Sequence, residues 1–173
     1  MSPATPDTHD TRESLALDGL DVVLADEAAT RAVAAALAPQ LLTRAATTGA
    51  CVALIGDLGA GKTTFVRGLA EAAGAPPEAI ASPTFALMHV LELAAVTLVH
   101  ADLYRLDSEE EVAGCGLTDE LDVAGVLVVV EWPQVARALL PASTIWLHLT
   151  FEPDGGRRLA SAGRRAAIDR TVG

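Results

Sequence analysis

Ala50-Cys51-Val52-Ala53-Leu54-Ile55-Gly56-Asp57-Leu58-Gly59-Ala60-Gly61-Lys62-Thr63-Thr64-Phe65 is the stretch on which the fold turns. Its first six residues form an unbroken apolar run, the pattern of a strand covered on both faces by helices. Gly56 to Thr63 then matches the spacing G-x-x-x-x-G-K-[ST] of a phosphate-binding loop. Phe65, Val66, Leu69, Ala70 and Ala73 follow at helical spacing and stop at Gly74. Given the frequencies of Gly, Lys and Ser/Thr in this chain, roughly one such sequence per thousand would match by accident. The order of strand, glycine-rich turn and helix lowers that chance further.

The physical reading is direct. Glycines let the backbone curl around a phosphate and aim its N–H groups inward. A helix beginning near Lys62 adds the positive end of its dipole. Lys62 would neutralise the β and γ phosphates, and the Thr63 hydroxyl would hold Mg²⁺. Asp57, Leu58, Gly59, Ala60, Gly61, Lys62, Thr63 and Thr64 are therefore the expected nucleotide-binding residues, with ATP and Mg²⁺ as cofactors. Lys62 is also the single lysine among 12 basic residues, in a chain of formal net charge −11. Local positive potential at this loop is the only obvious means of attracting a polyanion.

Working outward, a strand is expected over 20–24, then a helix capped by Asp26 over 27–38 and stopped near Pro39. Downstream, strands are expected over 85–91 and 96–101, with a short acidic helix opened by Ser108. A second wholly apolar strand spans 126–130, a short helix 137–140 ends at Pro141, and further strands cover 144–151 and 157–160. The expected fold is α/β, a three-layer sandwich like the P-loop NTPases, with a mainly parallel central sheet and antiparallel strands at its margins. One domain over 19–162 is expected, between flexible tails at 1–18 and 163–173. With 173 residues, there is room for one core, and 51% apolar residues exclude a wholly disordered chain. No uncharged stretch reaches the length of a membrane span, and no basic region followed by an apolar run marks a secretory signal. Two distant cysteines suit a reducing cytosol. The acidic balance disfavours broad direct contact with DNA or RNA.

Hydrolysis needs a carboxylate to help hold Mg²⁺ and a group to orient water. Such acids lie at the C-terminal ends of parallel strands, where the loop also lies. Asp102 and Glu131 meet that condition. Glu131 is assigned to Mg²⁺ with Thr63, and Asp102 to the nucleophilic water; location is better defined than this division, and the roles can be exchanged. Thr84, within Ser82-Pro83-Thr84-Phe85, is the candidate γ-phosphate sensor, so Asp102, Lys62 and Thr84 form the expected catalytic set. His100 either orients Asp102 or is a core histidine, and Trp132 either covers a ligand or packs. Arg157, Arg158, Arg164 and Arg165 form the one local basic feature, read as a solvated strand and tail rather than a phosphate contact.

GDLGAGKTTF at Gly56 to Phe65, SPTF at Ser82 to Phe85, HADLYRL at His100 to Leu106 and VEW at Val130 to Trp132 together closely resemble the TsaE (YjeE) family. These are small bacterial ATPases of tRNA threonylcarbamoyladenosine synthesis. The resemblance implies a cytoplasmic ATPase, weak alone, that works with the TsaB–TsaD heterodimer and meets tRNA only through it. It implies Mg²⁺ at Thr63 and Glu131, an essential Asp102, and Thr30 beside the adenine. Gln134 stands where many members carry an acid, and the segment before Leu20 is longer than usual. Two other classes compete. A small-molecule kinase needs an arginine-rich lid, which no segment supplies; a nucleotide-gated interaction module would bind ATP without turning it over. A GTPase would need N-K-x-D, which a chain with one lysine cannot contain.

Overall fold

The computed structural model describes residues 16–80 and 87–162. Strand β1 (Asp21–Leu24) leads into helix α1 (Glu27–Thr48), and β2 (Ala50–Gly56) into α2 (Lys62–Ala72). β3 (Met88–Glu92), β4 (Thr97–Asp102), α3 (Glu109–Gly114) and β5 (Val126–Glu131) follow, and β6 (Ile145–Phe151) and β7 (Arg157–Ala162) complete the sheet. The seven strands lie in the order β1-β7-β6-β2-β5-β4-β3. β6, β2, β5 and β4 run parallel, while β3, β7 and β1 each pair antiparallel with a neighbour. The expected mainly parallel sheet with antiparallel margins is thus the observed one.

Side chains alternating along each strand divide the core in two. Val52, Leu54, Leu98, Leu127 and Val129 point to the face covered by α1 and α2. Cys51, Ala53, Val99, Val128 and Val130 point to the opposite face, closed by Val112 of α3, by Leu117 and by Ala136 and Leu140. That makes three layers. α1 and α2 touch closely at Gly68, where a Cβ would lie 2.6 Å from the Arg31 Cα and 2.7 Å from its carbonyl oxygen. Among the described residues, no helix is long and apolar enough to cross a membrane.

Three local expectations need correction. α1 does not stop at Pro39 but runs on to Thr48. Thr30, Ala34, Leu37, Ala38, Leu41 and Ala45 form one buried stripe across the proline, which itself is exposed. Burial on both sides of Pro39 outweighs the lost backbone hydrogen bond. The stretch 137–140 is not a helix but a series of turns: the Ala136 and Leu139 amides donate to the carbonyls of Pro133 and Ala136 at 3.1 and 2.9 Å. Pro141 disfavours helical backbone at Leu140, and the buried Ala136 and Leu140 hold the turns in place. The last strand extends two residues beyond 160, through Ala162. A 3₁₀ turn at Leu117–Glu120, anchored by buried Leu117, follows α3 without a periodic signal in the sequence. Thr84 with the rest of its SPTF segment lies outside the described residues, as do 1–15 and 163–173.

Candidate functional site

Three neighbouring strands set the site. β2, β5 and β4 are adjacent and parallel, so their C-terminal ends open on one edge of the sheet. The register places Leu54 opposite Glu131, and Glu131 opposite Asp102. Leu98, His100 and Asp102 share a face by alternation, as do Leu127, Val129 and Glu131, and it is the face on which α2 lies. Both acids therefore meet the start of α2.

The loop between β2 and α2 turns through Gly61, whose φ of +103° favours glycine. Gly61 is the N-cap of α2 and brings no side-chain cap, so the first-turn amides have no side-chain acceptor at the cap. An anion is the natural partner for such amides. Lys62 is only 4% exposed, and its Nζ donates to the carbonyls of Gly56 at 2.7 Å and Asp57 at 2.9 Å. Burial lowers its pKa from the ordinary lysine value, and the negative charges of Glu131, Asp102 and Asp57 oppose that fall. The ammonium also lies 4.1 Å from the centroid of the Trp132 ring.

Trp132 takes a left-handed backbone, φ +55°, directly after β5. That turn aims its ring at Lys62 rather than continuing the strand, and Tyr104 packs on the ring at a centroid distance of 4.9 Å. Of the two alternatives for Trp132, the structure shows the packing one: the ring packs over the loop lysine.

Thr63 Oγ1 donates to Glu131 Oε1 at 2.9 Å, and His100 Nε2 lies 2.8 Å from the same oxygen. His100 is fully buried and Glu131 is 3% exposed. The histidine accordingly serves Glu131, not Asp102. Asp102 is half-buried, and its Oδ1 accepts from the Tyr104 amide at 3.0 Å. A hydroxyl and a carboxylate at this separation are hard oxygen donors of the kind Mg²⁺ takes. Among the described residues, no group of three or more His, Cys, Asp or Glu forms a self-sufficient metal cage. Mg²⁺ commonly takes only one or two protein oxygens beside phosphate, which this pair fits.

A cleft of about 450 Å³ opens here, bordered by Thr30, Gly59 to Thr64, Asp102, Glu131 and Trp132. Its volume falls in the range of small-molecule sites, about 300–1,000 Å³. Leu58, three-quarters exposed, forms the loop's outer rim, with buried Ala60 behind it. Thr64 is buried beneath the loop. Thr30 reaches the cleft with its methyl toward Gly61, while its hydroxyl donates to the Asp26 carbonyl at 3.1 Å. Asp57 does not border this cleft; it borders a separate one of about 120 Å³ with Gln134 and His148.

One residue at the cleft was read from sequence as solvated. Arg157, at the start of β7, borders the cleft and donates to the Gly155 carbonyl at 2.7 Å, with its other terminal nitrogen 3.5 Å from the Gly59 carbonyl. Only the pairing of β7 beside β6 brings it there. Arg158 points elsewhere and pairs with Asp21.

The profile of the family described as threonylcarbamoyl adenosine biosynthesis protein TsaE matches residues 24–159. A protein of Rickettsia bellii named tRNA threonylcarbamoyladenosine biosynthesis protein TsaE is 39% identical over 106 residues, 61% of this chain and 72% of that one. The Treponema pallidum protein of the same name is 40% identical over 114 residues, covering 66% of this chain and 82% of its own. The crystal structure of YdiB from Bacillus subtilis superposes with a TM-score of 0.60 at 27% identity, over 86% of this chain and 89% of that one. With a loop, two strand-end acids and a family profile spanning most of its length, the chain belongs to the TsaE family of threonylcarbamoyladenosine biosynthesis proteins.

Proposed function

We propose that this protein is a Mg²⁺-dependent ATPase that supports tRNA threonylcarbamoyladenosine modification through a TsaB–TsaD complex in the cytoplasm, with 19–162 as its ATPase domain. The observation that carries the proposal is the convergence of Lys62, Thr63, Glu131 and Asp102 on one cleft, with Thr63 Oγ1 and Glu131 Oε1 only 2.9 Å apart. Amides of the loop and of the first turn of α2 bind the triphosphate, and Lys62 exchanges the carbonyls of Gly56 and Asp57 for phosphate oxygens. Thr63 and Glu131 would hold Mg²⁺, which supplies charge neutralisation at the phosphates. Asp102, beside Glu131 on the next strand, orients water for attack and accepts its proton. Thr84 senses the γ-phosphate, and Thr30 and Arg157, which line the cleft, border the nucleotide. TsaB–TsaD as partner, and tRNA reached only through it, rest on family membership.

The decisive experiment is phosphate release measured with and without purified TsaB–TsaD, scored together with modified tRNA. Slow release alone and faster release with the complex is the expected outcome. Release only on addition of a small phosphate acceptor would overturn the ATPase reading in favour of a kinase.

A further inference from the structure

Outside the residues that would touch nucleotide or metal, one buried polar group faces the site. His100 lies on β4, completely enclosed, with Nε2 2.8 Å from Glu131 Oε1. Its Nδ1 has no hydrogen-bond partner among the described residues. Carboxylate oxygens accept, so Nε2 is assigned as the donor of this bond, and Nδ1 faces the core as the other ring nitrogen. An unpaired lone pair is a milder fault in a core than an orphaned N–H. Glu131 Oε1 is thereby held by two donors from two directions, His100 from β4 and Thr63 from α2. A carboxylate with so little exposure needs such donors to satisfy its oxygens and to keep one orientation.

We propose, resting on the Mg–ATP site described for this cleft, that His100 is a positioning residue for the metal: its Nε2–H pins the Glu131 carboxylate in the orientation that Thr63 and Mg²⁺ require. Removing partners of this kind costs metal sites about 10- to 100-fold in affinity. The sequence places the imidazole two residues before Asp102 on the same strand face, but its partner is on the neighbouring strand.

The test uses the gain in ATP affinity that Mg²⁺ confers, measured by calorimetry with Mg²⁺ and with chelator. His100→Gln keeps an N–H donor near the position of Nε2; His100→Asn is polar but too short to reach Glu131. The expected result is that His100→Gln retains the wild-type metal-dependent gain within about threefold, while His100→Asn loses about tenfold or more of it. Metal-free ATP affinity, set by the loop amides and Lys62, stays unchanged in both. Equal gains in the two variants and wild type would overturn the proposal, as would equal losses. Nitrogen NMR of the wild-type imidazole gives a second readout that needs no variant: protonated Nε2 with bare Nδ1 is expected, and the opposite tautomer overturns the assignment. A wild-type protein that binds ATP with no response to Mg²⁺ removes the Mg–ATP reading itself, a result distinct from either failure.

Discussion

Lys62 holds an ammonium in a nearly water-free position, bonded to two carbonyls of its own loop and covered by Trp132. Burial lowers its pKa, so the charge is costly until an anion replaces the neutral carbonyls as its partner. Lys62→Ala should therefore weaken ATP binding by about 10- to 100-fold, the worth of charge-assisted hydrogen bonds, as read by calorimetry. Unchanged affinity would refute the loop assignment. Asp102→Asn is the sharper probe of chemistry, because the amide oxygen can still accept from the Tyr104 amide and keep the strand end in place. It should bind ATP like wild type and lose about 100-fold or more of partner-stimulated phosphate release, the contribution of a positioned base. At this scale the loop and both acids were legible, since their spacing relative to apolar runs is a local property. The partner of His100, the ring direction of Trp132 and the approach of Arg157 were not. Each depends on a neighbour distant in sequence: Glu131, Lys62 and the loop carbonyl of Gly59.

At the scale of elements, α1 shows why local signals misplace a boundary. Asp26 caps it as expected, its Oδ1 accepting from the Ala29 amide at 2.8 Å. Pro39 then signals a stop that burial of Leu41 and Ala45 overrides. Pro39→Ala should restore the missing backbone bond and raise stability by about 1–3 kcal/mol in urea denaturation. A lower midpoint would mean that the fixed backbone angle of Pro39 stabilises α1 by more than the missing hydrogen bond costs. Gly68 makes the opposite case. Alanine is the better helix former, yet its Cβ would meet the Arg31 backbone. Gly68→Ala should cost about 1–3 kcal/mol by forcing α1 and α2 apart. A neutral or stabilising result would show that the helices separate freely. Strands β2 and β5 were readable because total burial leaves an unmistakable apolar run, whereas the turns after Pro133 had no comparable periodicity.

For the whole molecule, the margin of the sheet matters because β7 carries Arg157 to the cleft and β1 leads into α1. Arg158 ties the two strands together, donating to Asp21 at 2.6 and 3.0 Å, with Glu152 3.5 Å from the same guanidinium. The hydrogen bond from Arg158 holds the Asp21 carboxyl below its usual 3.8. The ionised form is the one favoured by folding, so this stabilisation is present above the ordinary carboxylate range and fades as pH falls through the lowered value. NMR titration should find the Asp21 midpoint under 3.8 in wild type and back near 3.8 in Arg158→Ala. An identical midpoint in both proteins would show the pair contributes nothing in solution, as exposed pairs often do. By itself the sequence determined that a buried strand, a phosphate loop and a helix follow one another, and that two acids end later strands, because these are patterns of residues near each other along the chain. Only the tertiary structure decided that β5 lies between β2 and β4, so that Glu131 meets Thr63 with His100 behind it, and that β7 returns Arg157 to the same cleft. Strand order arises from packing two faces of one sheet at once, and no local spacing encodes it.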